Sequence, residues 1–339
     1  MSSPASVAST TSASAASASA SISVAASASA APAVVPASDA CAAAPRYSFE
    51  ATGKYRRSRT KLLVLSQGDA NHDARDAVVA VGAPATLTAK FVYGPVHKDL
   101  EGEDVVFFLR QADCSWANLG KVTTDGDGRA SLDVPAATLS APGRYPFEVV
   151  VEGDGSIAEG SVFVLAPKTR AVVFDVDATL TVGDEEIVDQ VLTGTVPEMQ
   201  VDADKIVRQW ADAGWLVAYV TGRPRQLTKL TRAWLRDKGF PTGIVRLTSS
   251  AAEAVPSVEG VQTYKEHAIK ELRDAGLDIG FAYGNAVTDI CAYAHSGVDP
   301  KRTFIVGPHG GKACDGGAPT QALESYTQQL DDVAGLARP

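Results

Sequence analysis

The chain has no run approaching the ~20 consecutive apolar residues that a membrane-spanning helix needs, so no transmembrane helix is expected in its 339 residues. Positive charge is also short: 31 Lys and Arg against 40 Asp and Glu give a net charge of −9. No long basic stripe offsets that balance, which argues against a nucleic-acid partner. Cysteine is scarce. Cys41, Cys114, Cys291 and Cys314 show no C-x-x-C spacing, so a structural zinc site has no support. Aromatic residues make up only 7% of the chain, and none falls in residues 1–40, where nothing can seed a core.

What remains is ordinary globular material. A hydrophobic content of 45% with 21% charged residues allows a sizeable core, and the length implies two folded units. Residues 1–44 read as a disordered leader of Ala, Ser, Thr, Val and Pro. The leader lacks the basic start and apolar centre of a signal peptide. It resembles the tethers that hold extracytoplasmic domains off a bacterial surface, which favours the surface or periplasm over the cytoplasm. In an exported protein Cys41 would pair with Cys114 and Cys291 with Cys314, each pair lying within one domain region.

Residues 45–167 carry short β-branched or alternating runs broken by turn residues: 61–65, 85–93, 105–109, 145–151 and 161–165. These predict an all-β, immunoglobulin-like antiparallel sandwich. Asp125-Gly126-Asp127-Gly128 reads as a tight turn, since a calcium loop would need a glutamate at Ala136. The basic run from Lys54 to Lys61 has two readings, a solvated strand edge or a patch that attracts an anionic membrane.

Residues 168–339 alternate strand and helix, the pattern of a parallel sheet covered on both faces. Strands are expected at 171–176, 215–220, 243–248, 279–283 and 302–306, with helices near 203–213, 224–238, 264–275 and 286–295. Gly214, Gly239 and Gly276 follow helical stretches where a left-handed cap is needed.

Four of these strand and helix ends carry chemistry. The run from Ala171 to Thr181 is an apolar strand ending in Asp175 and Asp177, at the sheet rim where ligands bind in open α/β folds. The second strand ends in Thr221-Gly222-Arg223-Pro224. There Thr221 and nearby N–H groups can hold phosphate oxygens, or Thr221 can simply cap the next helix. Thr263-Tyr264-Lys265-Glu266 has capping-box spacing, which places Lys265 in a first turn, either as a phosphate ligand or as a solvated lysine. The fourth strand ends in Gly284-Asn285, with Asp289 one helical turn later. Asn285 and Asp289 offer oxygen ligands suited to Mg²⁺, and a plain helix cap is the competing reading of Asn285.

In order and spacing these motifs resemble the haloacid dehalogenase superfamily of phosphatases. The run from Ile206 to Val245, with Ala282-Tyr283-Gly284 and Phe304-Ile305-Val306-Gly307, looks most like the lipin and phosphatidylinositol-transfer-protein carboxyl-terminal (LNS2-like) module. That resemblance implies a Rossmann-like parallel sheet with little or no cap domain. It implies a Mg²⁺-dependent phosphomonoester hydrolase with Asp175 as nucleophile and Asp177 as acid and base. Thr221, Gly222 and Lys265 would hold phosphate, and Asp175, Asp177, Asn285 and Asp289 the metal. The implied partner is a phosphorylated substrate, phosphatidate or another large phosphomonoester at a membrane surface. Members of the module that lack the first aspartate bind phosphatidate without catalysis, and such an inactive module is the alternative. Ala178 departs from the family, whose lipin-like enzymes carry glycine there. Val188, Val191, Leu192, Val196 and Met199, in the 182–200 connection, would pack on the sheet or touch acyl chains.

Overall fold

A computed structural model describes residues 1, 41, 47–183, 195–249 and 258–334. In the amino-terminal domain, alternation does the folding. Strand β3 (Ala85–Lys90) buries Ala85, Leu87 and Ala89 while Thr86 faces water, so one side of the strand is apolar. It lies between β1 (Asp73–Arg75) and β8 (Arg129–Val134) in a three-stranded antiparallel sheet. A five-stranded sheet covers that apolar side. It runs β2 (Ala77–Ala80), β10 (Ile157–Leu165), β9 (Gly143–Val151), β6 (Asp104–Arg110) and β7 (Trp116–Thr123). The core between them holds Leu87, Phe91, Phe107, Leu109, Phe147 and Val149. A short ribbon, β4 (Val92–Tyr93) with β5 (Lys98–Asp99), completes the sandwich. Its pairings are antiparallel except one, since β2 runs parallel to β10. Asp125 closes the expected tight turn, accepting N–H groups of Asp127 and Arg129 on its side chain.

One expected strand is a helix. Residues 61–65 fall in α1 (Ser58–Gln67). The cause lies forty residues downstream: the buried Glu103 carboxylate accepts the N–H groups of Arg56 and Arg57 and the Thr60 hydroxyl, and so starts the helix. The basic run is therefore not a strand edge. Arg56 pairs with Asp104 and Arg57 with Glu101.

The second domain is a six-stranded, wholly parallel sheet. Its order is β13 (Ile244–Thr248), β12 (Leu216–Pro224), β11 (Arg170–Phe174), β14 (Asp278–Gly284), β15 (Thr303–Val306) and β16 (Gln321–Leu323). Such strands are buried on both faces and read as unbroken apolar runs, as Ala171-Val172-Val173-Phe174 does. The chain winds outward from β11 through β12 to β13, then restarts on the other side at β14. The switch point thus lies at the end of β11. Helices α2 (Ala203–Asp212), α3 (Thr228–Asp237), α4 (Val258–Asp274), α5 (Val287–His295) and α6 (Tyr326–Ala334) accompany the sheet. Gly214, Gly239 and Gly276 take the left-handed backbone expected of helix caps.

Cluster residues on one face of the sheet include Phe163 and Leu165 of β10, so the two domains share a core. Asp76 fastens them: its buried carboxylate accepts N–H groups from Ser161 of the sandwich and Val245 of β13, and pairs with Arg232. Disulfides join Cys41 to Cys114 and Cys291 to Cys314, the pairs expected for an exported chain. No helix among the described residues is long and apolar enough to cross a membrane. Val188, Val191 and Leu192 lie outside the described residues; Val196 is exposed and Met199 packs on the α/β core.

Candidate active site

Sheet order explains why motifs far apart in sequence meet. β12 and β14 are the two neighbours of β11, with Phe174 opposite Tyr219 on one side and Tyr283 on the other. Residues just past Phe174 therefore lie between Thr221 of β12 and Asn285 after β14. The Asp175 N–H continues the ladder by donating to the Tyr283 carbonyl at 2.9 Å.

Asp175 is 3% exposed. Its Oδ1 accepts from Lys265 Nζ at 2.7 Å and its Oδ2 from the Thr179 hydroxyl at 3.0 Å. The same ammonium reaches Asp289 Oδ1 at 2.5 Å, so one buried cation serves two buried carboxylates. Asp289 Oδ2 accepts the N–H groups of Asn285 and Ala286, both at 3.0 Å, and thereby caps α5. Both Asp289 oxygens are thus engaged, and the competing reading of Asn285 as the capping side chain falls away. Asn285 Oδ1 lies 3.4 Å from the Thr179 hydroxyl. The glycine before it is a packing requirement: a Cβ on Gly284 would sit 2.5 Å from the Asp289 Cβ.

Lys265 reaches this position by a different route from the one expected. The capping-box spacing of Thr263 and Glu266 is coincidental, because α4 already starts by Val258 and Lys265 is interior to it. The lysine is 4% exposed. Two of its three N–H donors face carboxylates, which leaves one for a further anion.

Asp177 is held from the other flank. Arg223, itself buried, donates through Nε and Nη2 to Asp177 Oδ1 at 2.9 and 2.7 Å, and its Nη1 reaches Thr231 at 3.1 Å. Thr221 donates its single hydroxyl proton to Asp177 Oδ2 at 2.9 Å and accepts the Arg223 N–H. Thr221 does not cap the next helix, because β12 runs on to Pro224 and α3 begins at Thr228. Gly222 lets α4 approach, with Val261 3.1 Å from where its Cβ would be. Sequence reasoning assigned no role to Arg223 or Thr179, although both stand inside the motifs that carry Thr221 and Asp175. Ala178 has a φ of 49°, a left-handed conformation that favours glycine and strains an alanine by roughly 1–2 kcal/mol.

Burial pushes the Asp175 carboxyl up to about 7; Lys265 opposes that rise, and the charges of Asp289 and Asp177 add to it. Burial works against the Lys265 ammonium too, but Asp175 and Asp289 outweigh it and hold the lysine above its ordinary value. With Asp175 ionised, three carboxylates against Lys265 and Arg223 leave this largely buried cluster with one uncompensated negative charge. Its donors are all oxygen, a set that fits Mg²⁺. Elsewhere among the described residues, Cys291, Cys314 and Asp315 gather closely enough to suggest a metal, but a disulfide joins the two sulfurs.

A switch-point aspartate just past the first strand of a parallel sheet, with a lysine from a later helix at its carboxylate, defines a haloacid dehalogenase-like domain. The type is LNS2: residues 172–307 match the LNS2 domain of PITM 1-3, and residues 70–164 match the PITM 1-3 beta-sandwich domain. Human membrane-associated phosphatidylinositol transfer protein 1 is 32% identical over 257 residues, covering 75% of this chain and 20% of that protein. Protein retinal degeneration B of Drosophila melanogaster is 31% identical over 262 residues, covering 76% of this chain and 20% of its own length. The chain thus spans about a fifth of the curated relatives it matches first.

The Arg223 fork gives a stability prediction. Arg223→Ala leaves Asp177 with the Thr221 hydroxyl alone and takes from Thr231 its Arg223 contact, and should cost about 2–3 kcal/mol in denaturant unfolding, less than for a fully buried pair because Asp177 is partly exposed. Arg223→Lys should recover less than half, since a point charge cannot make the two-pronged contact. A lysine variant as stable as wild type would show that the fork contributes nothing.

Proposed function

We propose that the α/β domain is a Mg²⁺-dependent phosphomonoester hydrolase that works through an aspartyl phosphate on Asp175. The observation that carries this reading is the Asp175 carboxylate itself, buried at the switch point with Lys265 and Thr179 on its two oxygens. Asp175 attacks phosphorus in line with the leaving oxygen, and water later cleaves the acyl phosphate. Lys265 holds Asp175 in place and offers its remaining N–H to a phosphate oxygen. Asp177 protonates the leaving alkoxide and then takes a proton from the attacking water. To do so it exchanges at least one of its contacts with Thr221 and Arg223, and the same exchange frees the Thr221 hydroxyl for phosphate. Asp175, the Asp177 main chain and Asn285 would hold the metal, with Asp289 fixing Lys265 and the turn that carries Asn285. When bound, Mg²⁺ neutralises the repulsion between an anionic nucleophile and an anionic phosphate.

The substrate class we favour is phosphatidate or another phosphomonoester carried on a large or lipid group. Two observations support it. Curated relatives include human membrane-associated phosphatidylinositol transfer protein 1, and the described residues 181–183 and 195–202 lead into α2 without an inserted cap domain. A second reading, a phosphatidate-binding module without catalysis, is favoured by the grip of Arg223 and Thr221 on Asp177.

Purified protein given phosphatidate in mixed micelles, or a soluble phosphomonoester panel, should release phosphate only with Mg²⁺. Binding to phosphatidate vesicles with no release from any substrate at any Mg²⁺ concentration would sink the hydrolase and leave the binding module.

A further inference from the structure

A cavity of about 140 Å³ lies between the two domains, and none of its lining residues belongs to the carboxylate site. Five arginines line it: Arg75 and Arg129 from the sandwich, and Arg225, Arg232 and Arg246 from the α/β domain. Three acids answer them. Asp73 pairs with Arg225 at 2.6 Å, Asp76 with Arg232 at 3.0 Å, and Glu271 is shared by Arg75 and Arg246. Among the described residues the excess is two positive charges. Asp76 is further divided, because its two oxygens also accept the N–H groups of Ser161 and Val245.

The deepest arginine is the least satisfied. Arg246 is 1% exposed, yet its contacts are long, 3.4 Å to the Val245 carbonyl and 3.4 Å to a Glu271 that is itself half exposed. Its Nε finds no acceptor among the described residues. Burying a guanidinium this poorly paired is costly unless another acceptor arrives, since buried charges are normally fully hydrogen-bonded. The rim is better exposed, with Arg75 at 41% and Arg129 open to solvent, so the positive charge runs from the mouth to the floor. Helix α3, ten residues long, also begins at this cavity with Thr228.

We propose that this cavity binds a phosphate group, clamped between the sandwich and the α/β domain. Arginine forks match the tetrahedral oxygens of phosphate, a dianion balances the excess charge, and the volume suits one phosphate group rather than a larger ligand. The phosphate is supplied by free phosphate or by a phosphorylated lipid headgroup. Because residues from both domains meet it, the bound anion stabilises the pair as a unit.

The test uses the full chain in EDTA, titrated with inorganic phosphate at constant ionic strength, with chloride as the comparator and melting temperature as the readout. Wild type should show a saturable rise beyond that of chloride. Arg129→Gln removes a rim cation that has no ion pair among the described residues, so it should melt as wild type without phosphate and keep wild-type phosphomonoester turnover. Its phosphate affinity should fall about tenfold, the scale of one lost charge-assisted contact. Arg246→Gln should lose the saturable response, and Arg129→Gln carries the test if that variant does not fold. Co-sedimentation with phosphatidylcholine vesicles, with and without phosphatidate, separates the two sources. Arg129-dependent sedimentation only with phosphatidate identifies a headgroup, whereas a phosphate response without it identifies free phosphate. The proposal is overturned if phosphate raises the melting temperature no more than chloride does, or if Arg129→Gln titrates as wild type.

Discussion

Asp175→Asn should abolish phosphomonoester turnover and, in the absence of Mg²⁺, melt above wild type at pH 8. The loss of activity follows from removing the attacking charge and should be on the order of 10⁴-fold or more. The gain in stability follows from the same atoms. Burial raises the Asp175 carboxyl from 3.8 to about 7, so the folded state holds its proton more tightly than the unfolded chain does. Between those values stability falls as pH rises, and above about 7 wild type carries the full cost of an ionised, buried carboxylate. Asparagine keeps the shape, can still accept from Lys265, and leaves that lysine paired with Asp289 alone. The two proteins should melt together near pH 4 and separate by on the order of 4 kcal/mol by pH 8. Mg²⁺ should then raise wild type and leave the variant unchanged. Equal melting across the whole pH range would mean that Asp175 carries no such burden, and an active, folded variant would remove it from the chemistry.

How far such a site can be read from sequence depends on whether its parts are local. Asp175, Thr221 and Asn285 were legible because each ends an apolar run that a parallel sheet must bury, and β11, β12 and β14 are adjacent. Arg223 is not legible because its meaning depends on Asp177, 46 residues away in the turn after a neighbouring strand. Capping-box spacing points to Lys265 only by coincidence. A capping-box pattern occurs inside α4, and what selects the lysine is a pair of buried carboxylates that no local pattern reveals. Helix α1 hides for a similar cause, since Leu62 and its neighbours have strand-like composition and the buried Glu103 fixes the start of the helix. In the sandwich, β2 has too few residues to announce itself, and its parallel pairing with β10 is visible only in three dimensions.

Lys265→Met should be the most damaging single change in the α/β domain, because it strands two carboxylates that are 3% and 0% exposed. Breaking a buried pair in this way costs about 3–5 kcal/mol, more than the packing gained from methionine returns. The cost has a pH signature opposite to a simple packing defect. Without the ammonium that now opposes it, the Asp175 carboxyl rises further, and the folded variant takes up protons that the unfolded chain releases. Its stability should therefore climb as pH falls from 8 toward 5, where wild type changes less. Mg²⁺ supplies an alternative cation and should raise the variant's melting temperature by more than it raises that of wild type. Turnover should fall in the same protein, since the lysine both fixes the nucleophile and faces the phosphate. Denaturant midpoints at pH 5 and pH 8, each with and without Mg²⁺, separate these effects. A Lys265→Met protein as stable as wild type at pH 8 would mean that the ammonium does not hold Asp175 and Asp289 together, and the reading of the site built on that contact would have to be abandoned.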